Sequence, residues 1–472
     1  MEVQAYADEQ LEKSSSSRLI SKVSDADPVS TLKQCQLPPQ TSFFRRVWKG
    51  AALMHYHRLF VLVMMVNMGI GIYGAIELGW FKAETLAIDT FSSLVLANFF
   101  VAIVIRQHYV INLLFAIATS IPKHWPLALR RIAAKVYHFG GFHSGCATAG
   151  TLWFALWLGA LVFGRNQQTL QVSDTIYALA VTLMSLLCAL VVMALPAIRS
   201  RFHNYFEATH RLGGWTSLIL FWAITLVDLA EQSPTTPLVS KMLASTDFWL
   251  LNIITISVIL PWLRLRKVPV EYTRPSSHAV LAKFDYGVTP FAGSSTALSR
   301  SPLLEWHSFA NVPAPGVDGF RLTISRAGDW TGSLIDDLPS HLWVKGIPTA
   351  GVGNVDKLFK RVVWVATGSG IGPCLPHLLS QDTPSKLVWA TRNPRKTYGD
   401  ELVDEILSVQ PHALIWDTDA LGKPDMVKLA YQAWKEFDAE AVICISNQKL
   451  TWQVVYGMES RDIPAYGAIW DS

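Results

Sequence analysis

The 472-residue chain is 51% apolar and only 16% charged, with a formal net charge of +4, which is too apolar for an ordinary soluble protein and predicts membrane segments. The small charge is spread over loops without a basic, aromatic-interleaved stripe, so a nucleic-acid partner is excluded. Five cysteines (Cys35, Cys146, Cys188, Cys374 and Cys444) lack paired spacing, which excludes a disulfide framework or a zinc site.

Residues 1–52 are rich in Ser, Gln, Lys and Pro and predict a disordered tail ending in Arg45, Arg46 and Lys49. Residues 53–266 then hold six apolar runs, each near the length that crosses a bilayer: about Leu59–Trp80, Leu86–Ile105, Ala147–Phe163, Ile176–Ile198, Leu212–Leu229 and Phe248–Leu265. Tyr109–Pro122 is apolar but short and flanked by Arg106 and Lys123, and reads as an interfacial or re-entrant piece. Arg and Lys collect in the tail, around 106–135, around 199–211 and after 264, so both termini are expected in the cytoplasm. The expected location is the plasma membrane, with the lipid bilayer as partner.

Residues 267–346 change texture. Short alternating runs at Ala279–Asp285, Leu303–Phe309 and Gly319–Ser325, separated by turn residues, predict a small antiparallel β-barrel. Residues 347–472 alternate strands and helices: Arg361–Ala366, Lys386–Thr391, a helix near Asp400–Val409, Ala413–Trp416, a helix near Met426–Phe437, and Ala441–Ile445. That order is an α/β doubly wound domain. The fold class is therefore a multi-domain membrane protein: a six-helix transmembrane bundle, a β-barrel and a nucleotide-binding α/β domain.

Chemistry concentrates at the first strand of the last domain. Val362–Ala366 runs into Thr367-Gly368-Ser369-Gly370-Ile371-Gly372-Pro373 and then a helix, so backbone N–H groups and a helix N-terminus converge where a phosphate could sit. Pro373 suits the first helical turn, where its missing N–H costs nothing. Upstream lie Glu305-Trp306-His307-Ser308-Phe309-Ala310 and Ser325-Arg326-Ala327-Gly328-Asp329-Trp330-Thr331-Gly332; downstream lie Trp389-Ala390-Thr391-Arg392-Asn393 and Val442-Ile443-Cys444-Ile445.

Taken together, these motifs resemble the ferric reductase and NADPH oxidase superfamily, whose soluble half is similar to ferredoxin-NADP reductase, and among its branches the TmpA-like membrane flavoproteins of fungi. The resemblance implies FAD bound by Trp306, His307, Ser308 and Phe309, with its pyrophosphate cradled by Arg326, Gly328, Trp330, Thr331 and Gly332. It implies NADPH, or NADH, on Thr367, Gly368, Ser369, Gly370, Gly372 and Pro373, with Arg392 taking a 2′-phosphate. His307, Cys444 and Trp470 fall where the family places groups beside the reacting rings. The match has gaps: Ser308 replaces a proline, Ala310 a hydroxyl residue, and the segment after Cys444 lacks Gly-Pro.

The same resemblance predicts paired histidines for two haems, and the chain breaks both pairs. His143 and His210 each match one ligand, while Arg130 and Ala223 stand where their partners belong. No other metal site is expected. The function implied is a membrane-anchored flavoprotein oxidoreductase passing reducing equivalents from NAD(P)H through FAD to an unidentified acceptor. Two alternatives stand beside it: a haem-containing transmembrane reductase or oxidase, and a non-catalytic nucleotide-binding receptor or scaffold.

Overall fold

The computed structural model describes residues 28–232 and 235–468. Among the described residues, five helices are long and apolar enough to cross a membrane: His55–Ile76, Gly140–Asn166, Asp174–Ala194, Tyr205–Glu231 and Thr246–Arg264. The remaining expected span, Ile88–Val104, is shorter, and the next helix, His108–Thr119, leaves it at 71°. The break falls at Arg106-Gln107, where the Gln107 side chain caps the second helix by accepting from the Tyr109 N–H.

Close helix contact in the bundle rests on small residues. A side chain at Gly141 would strike the Tyr56 carbonyl, and one at Gly145 would lie 2.9 Å from Val63 Cβ, so this four-residue glycine spacing lets His55–Ile76 and Gly140–Asn166 touch backbone to backbone. Asn67 adds a polar tie, its Oδ1 accepting from Asn98 Nδ2 and Trp153 Nε1, both at 2.9 Å.

The 109–122 piece, expected as interfacial or re-entrant, forms His108–Thr119, whose Ile111 and Phe115 join the core of the α/β domain, while Asn112 donates to the Pro348 carbonyl and accepts from the Ala350 N–H. One expectation for the tail is corrected. The tail expected through residue 52 is helical at Pro28–Gln34 and Phe43–Lys49. Leu32 is buried in the α/β core beside Leu429 and Ala433, and the Thr41 N–H donates to the Ser460 carbonyl at 2.8 Å. Residues 1–27 lie outside the described residues.

After the bundle, two antiparallel sheets form the barrel. One joins Arg266–Pro269, His341–Val344, Ser294–Ser299 and His307–Ala310, with Thr349–Ala350 added to Ser294–Ser295. The other orders Glu271–Thr273, Ala279–Phe284 and Phe320–Ser325, and the Val312–Arg321 bridge links the two. In Ala279–Phe284, Val280, Ala282 and Phe284 enter the barrel core, while Ala279 is buried against the α/β domain and Lys283 is exposed. The expected strand at 303–309 is pared back to His307–Ala310, since Ser301–Leu304 forms a turn.

The last domain is a five-stranded parallel sheet. Val362–Thr367 is central, with Ser385–Thr391 then Leu414–Asp417 on one side and Ala441–Ile445 then Ala465–Gly467 on the other. The central strand is buried on both faces, as its near-continuous apolar sequence requires. Strand order therefore reverses direction at the Thr367–Gly370 turn, which is where an open α/β sheet leaves a crevice.

Arg130, expected where a haem ligand belongs, sits on the short helix Leu127–Ala133, 3% exposed. It reaches both carboxylate oxygens of Glu440, at 2.6 and 3.0 Å, and the Leu358 carbonyl at 2.8 Å. Glu440→Gln leaves this guanidinium buried without its counter-charge, and a loss of about 3 kcal/mol in the unfolding of the α/β domain is expected. Denaturant titration followed by tryptophan fluorescence checks it.

Candidate functional site

The crevice at the C-terminal edge of the parallel sheet is a cavity of about 580 Å³. Thr367, Gly368, Thr391, Arg392 and Tyr398 line it from the α/β domain, while Ser276, Ser277 and His278 form its barrel wall. The three glycines of the turn do three different things. Gly368 has φ +51°, in the left-handed region, and its carbonyl accepts from Trp389 Nε1 at 2.9 Å; an added Cβ would point into open cavity, 3.6 Å from the Tyr398 hydroxyl. Gly370 faces the sheet, where a side chain would strike the Ile445 carbonyl. Gly372 faces the barrel, 3.2 Å from Thr323 Cβ. Only the first glycine opens the backbone toward a ligand; the other two lock the turn onto its neighbours.

Around that turn, the Thr367 hydroxyl bonds the Ser446 hydroxyl, Ser369 is half-buried, and Pro373 lies in the first turn of Ile371–Ser380. Arg392 is exposed at the rim and pairs with Asp419 at 3.1 Å. Lys396 and Lys423 line the same cavity, so its outer end carries three cations against one carboxylate. Tyr398 is buried beside the Thr391 side chain, and burial pushes its pKa up to about 12 against the hydrogen bond between them. A cationic rim and an open glycine backbone fit an anionic nucleotide.

Lys396, Lys423 and Tyr398 were not singled out from sequence. Lys423 stands in a Gly-Lys-Pro turn and Lys396 one turn past the Asn393 cap, local settings that say nothing of a shared rim.

The barrel motifs meet elsewhere along the same wall. His307, Phe309 and Trp330 stack, with ring centroids 4.3 Å apart for His307 and Trp330 and 5.8 Å for Phe309 and Trp330. Trp330 Nε1 donates to Glu305 Oε1 at 2.7 Å. Burial lowers the His307 pKa against the pull of Glu207 and Glu305, and its Nε2 lies 3.7 Å from Glu305 Oε2. Ser308 is exposed, and Asn311, fully buried, donates to the Ser294 hydroxyl. The Arg326 N–H donates to the His278 carbonyl at 2.8 Å, and its guanidinium grips Asp336 at 2.6 and 3.0 Å. Thr331 Oγ1 accepts from the Ala327 and Gly328 N–H groups. Gly328 has open space where a side chain would project, while Gly332 lies 3.0 Å from Arg326 Nη1. An aromatic platform followed by an exposed cation and an open glycine fits a planar ring with a phosphate tail. His278 both walls the cavity and accepts from the Arg326 N–H, so one loop touches the cavity and the Arg326 segment.

Two expected site residues fall outside this arrangement. Trp306 packs toward the bundle, edge-on to Trp262 at 5.9 Å, with the Lys345 Nζ 4.2 Å from its ring centroid. Cys444 is 1% exposed in the core with Val365, Val454 and Met458, and burial pushes its thiol up to about 12; strand alternation turns it to the face opposite Ile445, which packs with Ile371 and Cys374. That is the placement of a packing side chain. Trp470 lies outside the described residues. Within the bundle, His143 and His210 come together, ring centroids 6.1 Å apart and nearly perpendicular, with His143 Nδ1 2.7 Å from the Ala102 carbonyl. Among the described residues no group of three or more His, Cys, Asp or Glu side chains could hold a metal ion.

Fold and cleft thus define a barrel joined to a doubly wound nucleotide-type sheet, carried by a bundle of apolar helices. Sequence comparison agrees on a reductase likeness. Residues 352–472 match the family model described as adenylate-forming reductase 03009, C-terminal domain. The chain is 47% identical over 422 residues to adenylate-forming reductase 03009 of Coprinopsis cinerea and 45% identical over 423 residues to adenylate-forming reductase 06235 of the same fungus. Each alignment covers 88% of this chain, which spans 40% of the length of either relative. Among solved structures, a ferredoxin NADP+ reductase from Neisseria gonorrhoeae aligns at a TM-score of 0.36 and 13% identity, covering 43% of this chain and 98% of that one. A flavohemoglobin from Malassezia yamatoensis aligns at 0.40 and 12%, covering 82% and 97%. Likenesses of that size add nothing to the topology.

Two outcomes follow. Replacing both Lys396 and Lys423 by Ala should weaken binding of a 2′-phosphorylated dinucleotide about tenfold more than that of its unphosphorylated form, as the loss of charged hydrogen bonds predicts; titration calorimetry checks it. Burial, with Arg211 acting the same way, lowers the Lys345 ammonium from 10.5 to about 7 against the attraction of the two indoles. The folded protein therefore penalises the charged form below about 7, and the penalty fades as pH rises toward 10.5, where the unfolded chain still holds the proton. Stability should rise with pH across that window, and Lys345→Met should flatten the rise in a thermal-shift series.

Proposed function

We propose that this chain is a membrane-embedded flavin-dependent oxidoreductase that draws reducing equivalents from NADPH and passes them to an acceptor still to be identified. One observation carries the reading: the wall that closes the dinucleotide-shaped cavity is the loop that holds the phosphate-side motif of the barrel, through the bond from the Arg326 N–H to the His278 carbonyl. The likeness to relatives named reductases supports the same class. Apolar side chains left on the outer surface of the first long helix, including Met65 at 59% and Ile76 at 71% exposure, support a lipid setting for the bundle.

FAD, when bound, supplies the step between a two-electron donor and the acceptor. The protein's own part is placement. His307, Phe309 and Trp330 give a planar ring a rigid aromatic seat, and Glu305 fixes the Trp330 indole. Arg326 and the open backbone at Gly328 face a pyrophosphate, with Asp336 orienting the guanidinium until the anion arrives. Across the cleft, Trp389 holds Gly368 in its left-handed conformation, so the turn presents N–H groups at the start of Ile371–Ser380. Arg392, Lys396 and Lys423 receive the 2′-phosphate.

Anaerobic stopped-flow spectroscopy of the flavin-loaded full chain tests the proposal: NADPH should bleach the flavin within the turnover time. Gly368→Val, which forces a β-branched side chain into both a positive φ and the cavity, should keep flavin and lose bleaching. A flavin that NADPH never bleaches in the wild-type chain would favour the non-catalytic scaffold instead.

A further inference from the structure

The short helix Phe43–Lys49 is built to face two ways. On one side Lys49 reaches Asp462 at 2.8 Å and the Glu459 carbonyl at 3.0 Å, tying it to the α/β domain. On the other, Arg58, in the first turn of His55–Ile76, lies 3.8 Å over the Trp48 ring and donates from Nε to the Leu53 carbonyl at 2.6 Å. The helix is thus fixed at the mouth of the first long apolar helix. Its outer surface nonetheless carries large apolar rings: Phe43 is 64% exposed, Phe44 83% and Trp48 57%, around an apolar groove of about 660 Å³. Nothing else among the described residues covers them. Charge points the same way, because no Asp or Glu occurs between Asp27 and Glu77, while Lys33, Arg45, Arg46, Lys49 and Arg58 do.

Aromatic rings flanked by cations, held beside the entry of a membrane span, match the boundary between acyl chains and anionic headgroups. We propose that Phe43–Lys49 is an interfacial helix that seats Phe43, Phe44 and Trp48 in an anionic bilayer surface, and so sets the height and tilt of the α/β domain above the membrane. The inference rests on the membrane reading of His55–Ile76. A phenylalanine-sized ring at the helix start enters the lipid, Trp48 sits at headgroup level under Arg58, and Lys49 carries the resulting position to the end of the helix Gln448–Glu459.

A photoreactive benzophenone amino acid placed at Phe44, and separately at Met65, tests this in the full chain reconstituted in nanodiscs of phosphatidylcholine with or without phosphatidylserine. Lipid adducts, read by mass spectrometry, are expected at both positions, and those at 44 should increase with phosphatidylserine. Arg45→Glu together with Arg46→Glu should cut that increase about fivefold or more for each cation removed, while leaving adducts at 65 unchanged. Lipid adducts at 65 with only protein adducts or none at 44 would overturn the interfacial helix and leave the span intact. Adducts at 44 that ignore phosphatidylserine would overturn the anionic assignment. Absence of lipid adducts at both positions would sink the membrane reading itself.

Discussion

The placement of the α/β domain hangs on a pair of charge clamps between the helical bundle's polar connections and that domain. Buried Arg130 meets the partly exposed Glu440, and Lys135 meets Glu459 at 3.2 Å and the Ala465 carbonyl at the same distance. Although burial raises Glu459, the cations Lys135, Arg131 and Lys49 hold its carboxyl below the usual range. Buried ion pairs of this kind add little net stability but penalise any other arrangement, because separating them strands a charge out of water. The two strands they hold, Ala441–Ile445 and Ala465–Gly467, adjoin the central strand that carries the nucleotide turn.

From those clamps the geometry propagates inward. His108–Thr119 donates Ile111 and Phe115 to the same core as Trp364 and Ile371, so a connection between apolar helices becomes part of the nucleotide domain's interior. The barrel is pinned from a different direction, by Trp262 and Trp306 around Lys345 and by Arg211 reaching the Leu303 carbonyl. Bundle, barrel and sheet are thus mutually anchored, and the cleft between barrel and sheet inherits that rigidity.

Sequence disclosed the α/β domain well because its strands are long, β-branched and bounded by turn residues. Barrel strands were harder: Ser294–Ser299 reads Ser-Ser-Thr-Ala-Leu-Ser, with no hydrophobic alternation to betray it, and Thr349–Ala350 is too short to register. The tail was misjudged beyond residue 28 because Leu32 and Lys49 gain their order from the distant α/β domain, and composition cannot report tertiary docking. Within the site, the glycine turn and the Arg326–Gly332 segment were legible as local motifs. The division of labour among Gly368, Gly370 and Gly372 was not, since it depends on Ile445 and Thr323, which lie on other strands. Cys444 shows the converse failure: a motif position matched while strand alternation turned the thiol into the core.

The central claim is that one cleft, walled by Ser276–His278, receives both a dinucleotide and a flavin. A cryo-electron microscopy map of the full chain in a nanodisc, prepared with FAD and NADP+, tests it most directly. The account predicts dinucleotide density over Gly368 with its 2′-phosphate among Arg392, Lys396 and Lys423, and flavin density on His307 and Trp330, both touching the His278 wall. Dinucleotide density away from Gly368, or flavin density on the far side of the barrel from His278, would contradict it.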